Sequence, residues 1–289
     1  IEEVLKVRNV SYQAFVSEYR GHAGKLAAEI CAMDDNDICL VAVGGDGTAN
    51  EVINGITDFE KVRFGVIPTG SGNDLARGLS LSKDPKNGAI HILNAMKKSR
   101  EDTWCMDLGE VNFGEKKRLF AISAGIGLDA LVCKKALKST IKDILNKIRL
   151  GKLTYLVLTV QSLFTMQTAD AEIFFDREEG LQKKRMIFTA AMNFKAEGGG
   201  VPMAPAASAC DGKLSFCEAA GIPKWRTFLC LPFLVAAKHT SIHGFSVTDA
   251  KDCTIRLSRP LVVHADGEYC GEVTEVHFHC LPGKLRVLK

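Results

Sequence analysis

Two copies of one arrangement constrain this chain more than any other feature. In the first, an apolar run, Ile38-Cys-Leu-Val-Ala-Val43, stops at Gly44-Gly45-Asp46-Gly47-Thr48 and passes into Val52, Ile53 and Ile56 at helical spacing. In the second, Val62 to Ile67 ends at Pro68-Thr69-Gly70-Ser71-Gly72-Asn73-Asp74 and a helix from Asp74 to Leu79 follows. A continuous apolar run bounded by turn residues reads as a strand buried on both faces, the environment of a parallel sheet. Strand, glycine loop and helix in alternation predict an α/β domain with a doubly wound parallel sheet and set both loops at its carboxyl edge. Upstream, Val10 to Val16 has the composition of a strand, and Leu26, Ala27, Ile30 and Met33 the spacing of a helix.

After Trp104 the rhythm changes. Short strand-like segments lie at Leu119 to Ser123, Ile173 to Asp176, Met186 to Met192, Leu214 to Glu218, Cys253 to Leu257, Leu261 to Ala265 and Val273 to His279, with Asp-Gly turns at 211–212 and 266–267. Helical stretches interrupt them from Val132 to Met166, broken at Gly151, and from Lys224 to His239 after Pro223. The expectation is an antiparallel, sandwich-like β-rich second domain. We divide the chain into 1–104, an α/β nucleotide-binding domain, and 105–289, a β-rich lipid-substrate domain whose last residues can return to the first. A length of 289 residues is enough for two cores.

Glycine loops between a buried strand and a helix let backbone N–H groups approach a phosphate, and the helix N-terminus favours negative charge. Either loop alone also reads as a tight turn, with Thr48 as a helix cap. Two at one sheet edge favour the phosphate reading. The net charge of +3 is too balanced for a chain coated in nucleic acid. No apolar run reaches the ~18–20 residues that cross a bilayer. Ten cysteines without one Cys-x-x-Cys pair predict reduced thiols and a cytoplasmic location.

The ordered motifs resemble the diacylglycerol kinase catalytic domain family, which includes bacterial lipid kinases and the sphingosine and ceramide kinases. They are Gly44-Gly45-Asp46-Gly47-Thr48 with Asn50-Glu51, Pro68 through Arg77, Gly125-Ile-Gly-Leu-Asp129-Ala130, Gly198-Gly199-Gly200, Pro205 through Ser208 to Asp211-Gly212-Lys213-Leu214, and Asp266-Gly267-Glu268. Ser71 stands where the family usually has Thr, which keeps the hydroxyl. The family's opening strand and Asn-Pro-x-Ser-Gly-like loop would lie upstream of Ile1, so residues are expected to precede this sequence.

The resemblance implies transfer of the ATP γ-phosphoryl group to a lipid hydroxyl such as that of diacylglycerol, with Mg²⁺ on the phosphates and the reaction in a cleft between the domains. It implies nucleotide contacts at Ser17, Gly45, Asp46, Gly47, Thr48, Asn50, Glu51, Ser71 and Asn73. Asp46 and Asp129 would serve the catalytic Mg²⁺, and Glu268 would be the general base. A structural Mg²⁺ would take the Asp211 carboxylate and the carbonyls of Ser208 and Lys213. On sequence alone Asp129 reads equally as a helix cap and Glu268 as a solvated residue beside a hairpin turn. His277 and His279 share a strand face and read as ordinary strand histidines.

From Lys134 to Lys152 the chain carries seven basic residues and one acidic, +6 against +3 for the whole, with Leu137, Ile141, Ile144, Leu145 and Ile148 at helical spacing. This basic amphipathic segment predicts peripheral contact with an anionic membrane surface, or a solvated helix docked by its apolar stripe. A homodimer is a further partner to test. The enzyme alternative is an NAD kinase, disfavoured because Pro68-Thr-Gly-Ser71 runs straight into Gly-Asn-Asp-Leu-Ala-Arg; the other is a non-catalytic nucleotide-binding module, disfavoured by Asp46 and Glu268.

Overall fold

The computed structural model describes residues 1–138, 151–176 and 179–289. They form two compact units, Ile1–Leu108 with Pro282–Lys289, and Gly109–Leu281.

In the first unit, α1 (Glu2–Val7) and α2 (His22–Cys31) precede β1 (Ile38–Gly44), α3 (Asp46–Gly55), β2 (Val62–Pro68), α4 (Asp74–Gly78) and α5 (Pro85–Ala95). β1 and β2 pair in parallel from Ile38↔Val62 to Gly44↔Pro68, so both strands end at one edge and release their glycine loops side by side. On the other side of β2, Arg286 and Val287 at the chain's end add a parallel strand against Arg63 and Phe64. Every residue of β2 is buried, including Arg63, whose guanidinium is paired with Asp37 at 2.6 Å. Asp84 starts α5 by accepting the Lys86 N–H at 3.0 Å, with Pro85 in the first turn. Ile92 and Ala89 of that helix then pack with Ile67 and Leu288.

The expected strand at Val10 to Val16 is absent. The backbone turns out of α1 through Asn9 at φ 51°, and the segment runs on as irregular, exposed chain with Val16 in water. No strand pairs with it among the described residues, and period alone does not make a strand without a partner.

The second unit is antiparallel. β3 (Trp104–Phe113), which starts in the first unit, pairs with β4 (Lys116–Phe120). β5 (Ser123–Gly127) leads into α6 (Leu128–Lys138); α7 (Gly151–Thr165) precedes β6 (Ala169–Phe175), β7 (Leu181–Met186), β8 (Phe188–Met192) and β9 (Leu214–Ala219). Then come α8 (Lys224–Val235), β10 (Phe245–Ala250), β11 (Asp252–Ala265) and β12 (Glu268–Val287).

β11 organises the unit. Its first half pairs with β6, its last three residues with β5, and the register with β12 shifts between Arg256 and Leu261. One strand thus serves two sets of partners through an irregularity, as sandwich corners do. The sequence suggested two strands there. Phe175, Phe216 and Phe278 pack tilted and edge-on, with ring centroids 5.4 and 6.0 Å apart, in the core between. A second cluster, with Leu128, Leu163, Phe188, Met192 and Leu234, joins α6, α7 and α8 to the strands β8 and β9.

Two more sequence expectations are corrected. Leu119 to Ser123 is not one strand: β4 ends at Phe120 and β5 begins at Ser123, because the Asp266 carboxylate takes the N–H groups of Ala121, Ile122 and Ser123. Met186 to Met192 likewise breaks at Ile187, whose carbonyl accepts the Leu128 N–H that opens α6. The basic segment lies mostly outside the described residues, which include Lys134 and Lys135 but not Lys142, Lys147 or Arg149.

Candidate active site

In the first unit the two glycine loops meet. Gly45 and Gly70 approach so closely that a Cβ on Gly70 would lie 2.6 Å from the Gly45 Cα. Only glycine fits. Asp46, at the start of α3, reaches across and accepts the Asp74 and Leu75 N–H groups, both at 3.1 Å. Burial pushes its carboxyl above the usual range, and the Leu75 N–H and Arg77 pull it back. Asn73, at φ 53°, closes the second loop by accepting from the Gly70 N–H and donating to the Gly70 carbonyl. The hydroxyl-bearing Ser71 lies at this junction, exposed.

The other nucleotide candidates are distributed around it. Thr48 packs beside Gly44, and Asn50 is buried in α3, where its Oδ1 accepts from Asn54. Glu51 accepts the Gly21 N–H at 2.8 Å and so ties α3 to the start of α2. Ser17 sits four residues earlier, exposed on irregular chain.

In the second unit, three strand ends and one helix start converge. Asp266 and Gly267, at φ 47° and 81°, make the hairpin turn between β11 and β12, and Ala265 pairs with Glu268 across it. Positive φ at both central positions is what a tight two-residue hairpin demands. The Asp266 carboxylate, holding the three N–H groups of residues 121–123 at 2.8 to 3.1 Å, is an acceptor staple. Glu268 follows it, half-buried.

Next to the turn lies His264, buried in β11. The Gly267 N–H points at its Nδ1, 3.2 Å away, which makes that nitrogen an acceptor. Burial disfavours a charged ring, but Asp129, Glu197 and Asp266 together outweigh it and raise the imidazole above its ordinary value; in the neutral ring an acceptor Nδ1 places the proton on Nε2. Nε2–H then donates to Asp129 Oδ2 at 3.1 Å. The other oxygen of Asp129, Oδ1, is buried without a hydrogen-bond partner among the described residues. Gly125 makes room for this pair, since a Cβ there would fall 1.8 Å from Asp129 Oδ2. Glu197 adds a second carboxylate, bonded to the Ser123 hydroxyl, and burial raises its carboxyl above the usual range.

Asp129, Glu197 and His264 thus bring ligand-type atoms within 4.8 Å of one another. His264 donates into the group, which leaves Asp129 Oδ1 as its open hard oxygen. Sequence reasoning found Asp129 and missed both neighbours. The one signal was position: His264 lies two residues before an Asp-Gly turn and Glu197 directly before three glycines.

Asp211, in the loop before β9, accepts the Lys213 N–H at 3.1 Å in a local turn, and the Ser208 hydroxyl lies 3.4 Å from the Cys210 sulfur. His277 and His279 both lean on Asp252, at 3.3 and 2.6 Å.

Comparison with known proteins places this geometry. Residues 1–106 match the diacylglycerol kinase catalytic domain, and residues 123–289 the YegS C-terminal NAD kinase beta sandwich-like domain. The YtlR protein of Bacillus subtilis (strain 168) is 30% identical over 99% of this chain and 92% of its own length. A diacylglycerol kinase of the same organism is 27% identical, covering 85% of this chain and 75% of that one. The fold is that of the crystal structure of a diacylglycerol kinase from Bacillus anthracis str. Sterne, with TM-score 0.71 at 17% identity over 99% of this chain and 90% of that one. It is also related, more distantly, to an NAD kinase from Archaeoglobus fulgidus in complex with ATP, with TM-score 0.54 at 14% identity over 100% of this chain and 87% of that one. With both halves of the sequence matched and the two glycine loops joined as described, the chain belongs to the diacylglycerol kinase catalytic domain family and is an enzyme of the lipid-kinase class.

Proposed function

We propose that the chain transfers the γ-phosphoryl group of ATP to the hydroxyl of a lipid alcohol such as diacylglycerol. The observation that carries this reading is the junction of the glycine loops, where Gly45 and Gly70 leave bare backbone and Asp46 locks one loop to the other. Phosphoryl transfer needs positioning and electrostatics above all, and two glycine loops locked together at a helix N-terminus suit both. In this reading Ser17, Gly45, Asp46, Gly47, Thr48, Asn50, Glu51, Ser71 and Asn73 form or support the nucleotide subsite. Glu268, on a turn held by the Asp266 staple, takes the proton from the attacking hydroxyl.

In the second unit Oδ1 of Asp129 is buried and has no hydrogen-bond partner among the described residues, so its donor chemistry fits Mg²⁺, and Asp46 of the first unit offers carboxylate oxygens of the same kind. Bound there, Mg²⁺ would neutralise charge on the phosphates. Asp211, with the carbonyls of Ser208 and Lys213, is the proposed structural Mg²⁺ site. Because the acceptor resides in a bilayer, contact with an anionic membrane surface belongs to the same proposal.

The test is phosphate transfer from γ-labelled ATP with Mg²⁺ to a panel of diacylglycerol, ceramide, sphingosine and NAD. Label in a lipid alcohol is expected. Label in NAD alone, or none anywhere, would overturn the proposal.

A further inference from the structure

The second unit shows water an apolar face where a helix ordinarily shows a polar one. α8 buries Thr227, Cys230 and Leu234 on one side. Its other side carries Trp225, Phe228, Leu229 and Phe233, recurring at intervals of three and four, with Val235 beyond. Of these, Trp225 is 60% exposed, Leu229 57% and Val235 64%.

α7 extends the same surface. Phe164, also exposed, lies with its ring 6.0 Å from that of Phe228. The Lys224 ammonium holds the two helices together by donating to the carbonyls of Phe164 and Met166. Leu156 and Val157 of α7 are exposed as well. Single exposed apolar side chains are ordinary, but a contiguous group on two joined helices marks an interaction surface.

Charge says what covers it. Neither α7 nor α8 contains an acidic residue, and no Asp or Glu occurs from Ala219 to Thr248. Arg226 and Lys238 stand exposed on and beside α8. Aromatic and aliphatic side chains with cations at the rim, and no carboxylate to be repelled, match an anionic lipid surface: the apolar groups enter the acyl boundary and the cations meet headgroup phosphates.

We propose that this face of α7 and α8 is the surface by which the chain docks on an anionic bilayer. Its purpose rests on the lipid-substrate reading above, but its test does not.

Trp225 is one of two tryptophans, so Trp104→Phe leaves it as the sole indole reporter. With this full chain and vesicles of phosphatidylglycerol and phosphatidylcholine, the Trp225 emission should shift to the blue, lipids brominated in the acyl chain should quench it, and binding should weaken as salt rises. Leu229→Glu with Phe233→Glu should reduce vesicle binding by about tenfold or more. Both positions are exposed, so the thermal melt should hold, as should phosphorylation of a short-chain, water-soluble diacylglycerol. An unquenched Trp225 on vesicles that bind the protein, or equal binding by the double variant, would overturn the proposal. So would a dimer in light scattering, without lipid, that the double variant dissociates. If the wild type phosphorylates no lipid while Trp225 is quenched, the substrate reading fails and the docking surface stands.

Discussion

His264 joins two candidate catalytic residues through one ring, accepting from the turn that leads to Glu268 and donating to Asp129. Its two bonds can be cut separately. In Asn the amide oxygen takes the place of Nδ1, and in Gln the amide nitrogen takes the place of Nε2. His264→Asn should therefore keep the turn bond and free Asp129 to rotate, lowering kcat on the order of tenfold while leaving the KM for ATP unchanged. His264→Gln should stay nearer to wild type. Steady-state kinetics of the pair decide the matter, and the reverse ranking would assign the ring's importance to the turn. Glu268→Gln is the companion measurement: an amide of the same shape cannot accept a proton, so turnover should fall on the order of 10² to 10⁴ with nucleotide binding intact. Wild-type turnover would remove Glu268 from the mechanism. Glu197 makes a prediction about pH. Its carboxyl is raised, first by burial and then by Asp129, so its stabilising contribution is complete below the ordinary glutamate value. As pH climbs from there, the unfolded carboxyl ionises before the folded one, and stability falls until the folded carboxyl ionises too. Glu197→Gln, always neutral, should flatten that fall in melting temperature between acid and neutral pH; an unchanged slope would mean that Glu197 is ionised in the fold.

At the scale of elements, what could be read from sequence divides along a physical line. β1, β2 and their glycine loops were legible because the inner strands of a parallel sheet are mostly apolar, Arg63 with its partner Asp37 being the exception, and a loop that admits another backbone must be glycine. α8 was legible from Pro223 and its apolar content. The breaks at Ala121 and Ile187 were not, because each is set by a partner far along the chain. Ala121, Ile122 and Ser123 leave the ladder for a carboxylate more than 140 positions away, at Asp266. No local pattern contains that. The same reason hid His264 and Glu197, which gain their meaning from Asp129. Motif order found Asp129 and Glu268; tertiary contact found what holds them. The staple is testable as an element: Asp266→Ala leaves three N–H groups without their acceptor and should cost about 2–4 kcal/mol, since hydrogen bonds to a charged group contribute about 1.5–3 kcal/mol each and do not add fully. Urea melts measure it, and a loss under about 1 kcal/mol would mean that water replaces the carboxylate without penalty.

Across the whole molecule, the chain order does not match the compact units. Lys134, whose charge suggested a free basic face, is instead paired with Glu272 at 2.5 Å and lies over the Tyr269 ring, so α6 is fastened to β12. The membrane reading must then rest on other cations. β12 itself begins with the candidate base, Glu268, and ends in the first unit, where Arg286 and Val287 pair with Arg63 and Phe64 and the Leu288 N–H donates to the Phe64 carbonyl. Leu285, Val287 and Leu288 are buried there, almost wholly out of water. Each buried side chain of this size contributes about 1.5–3 kcal/mol, so together the three rival the ~5–15 kcal/mol that holds a domain folded. A chain ending at Leu281 should accordingly lose the first unit as a cooperative fold and keep the second, whose residues all remain. Limited proteolysis followed by mass spectrometry should show cuts within residues 1–108 and a resistant fragment starting near Gly109. A truncated chain as resistant through residues 1–108 as the full one would show that β1, β2 and their helices suffice alone, and that the last eight residues only cover an edge already stable without them.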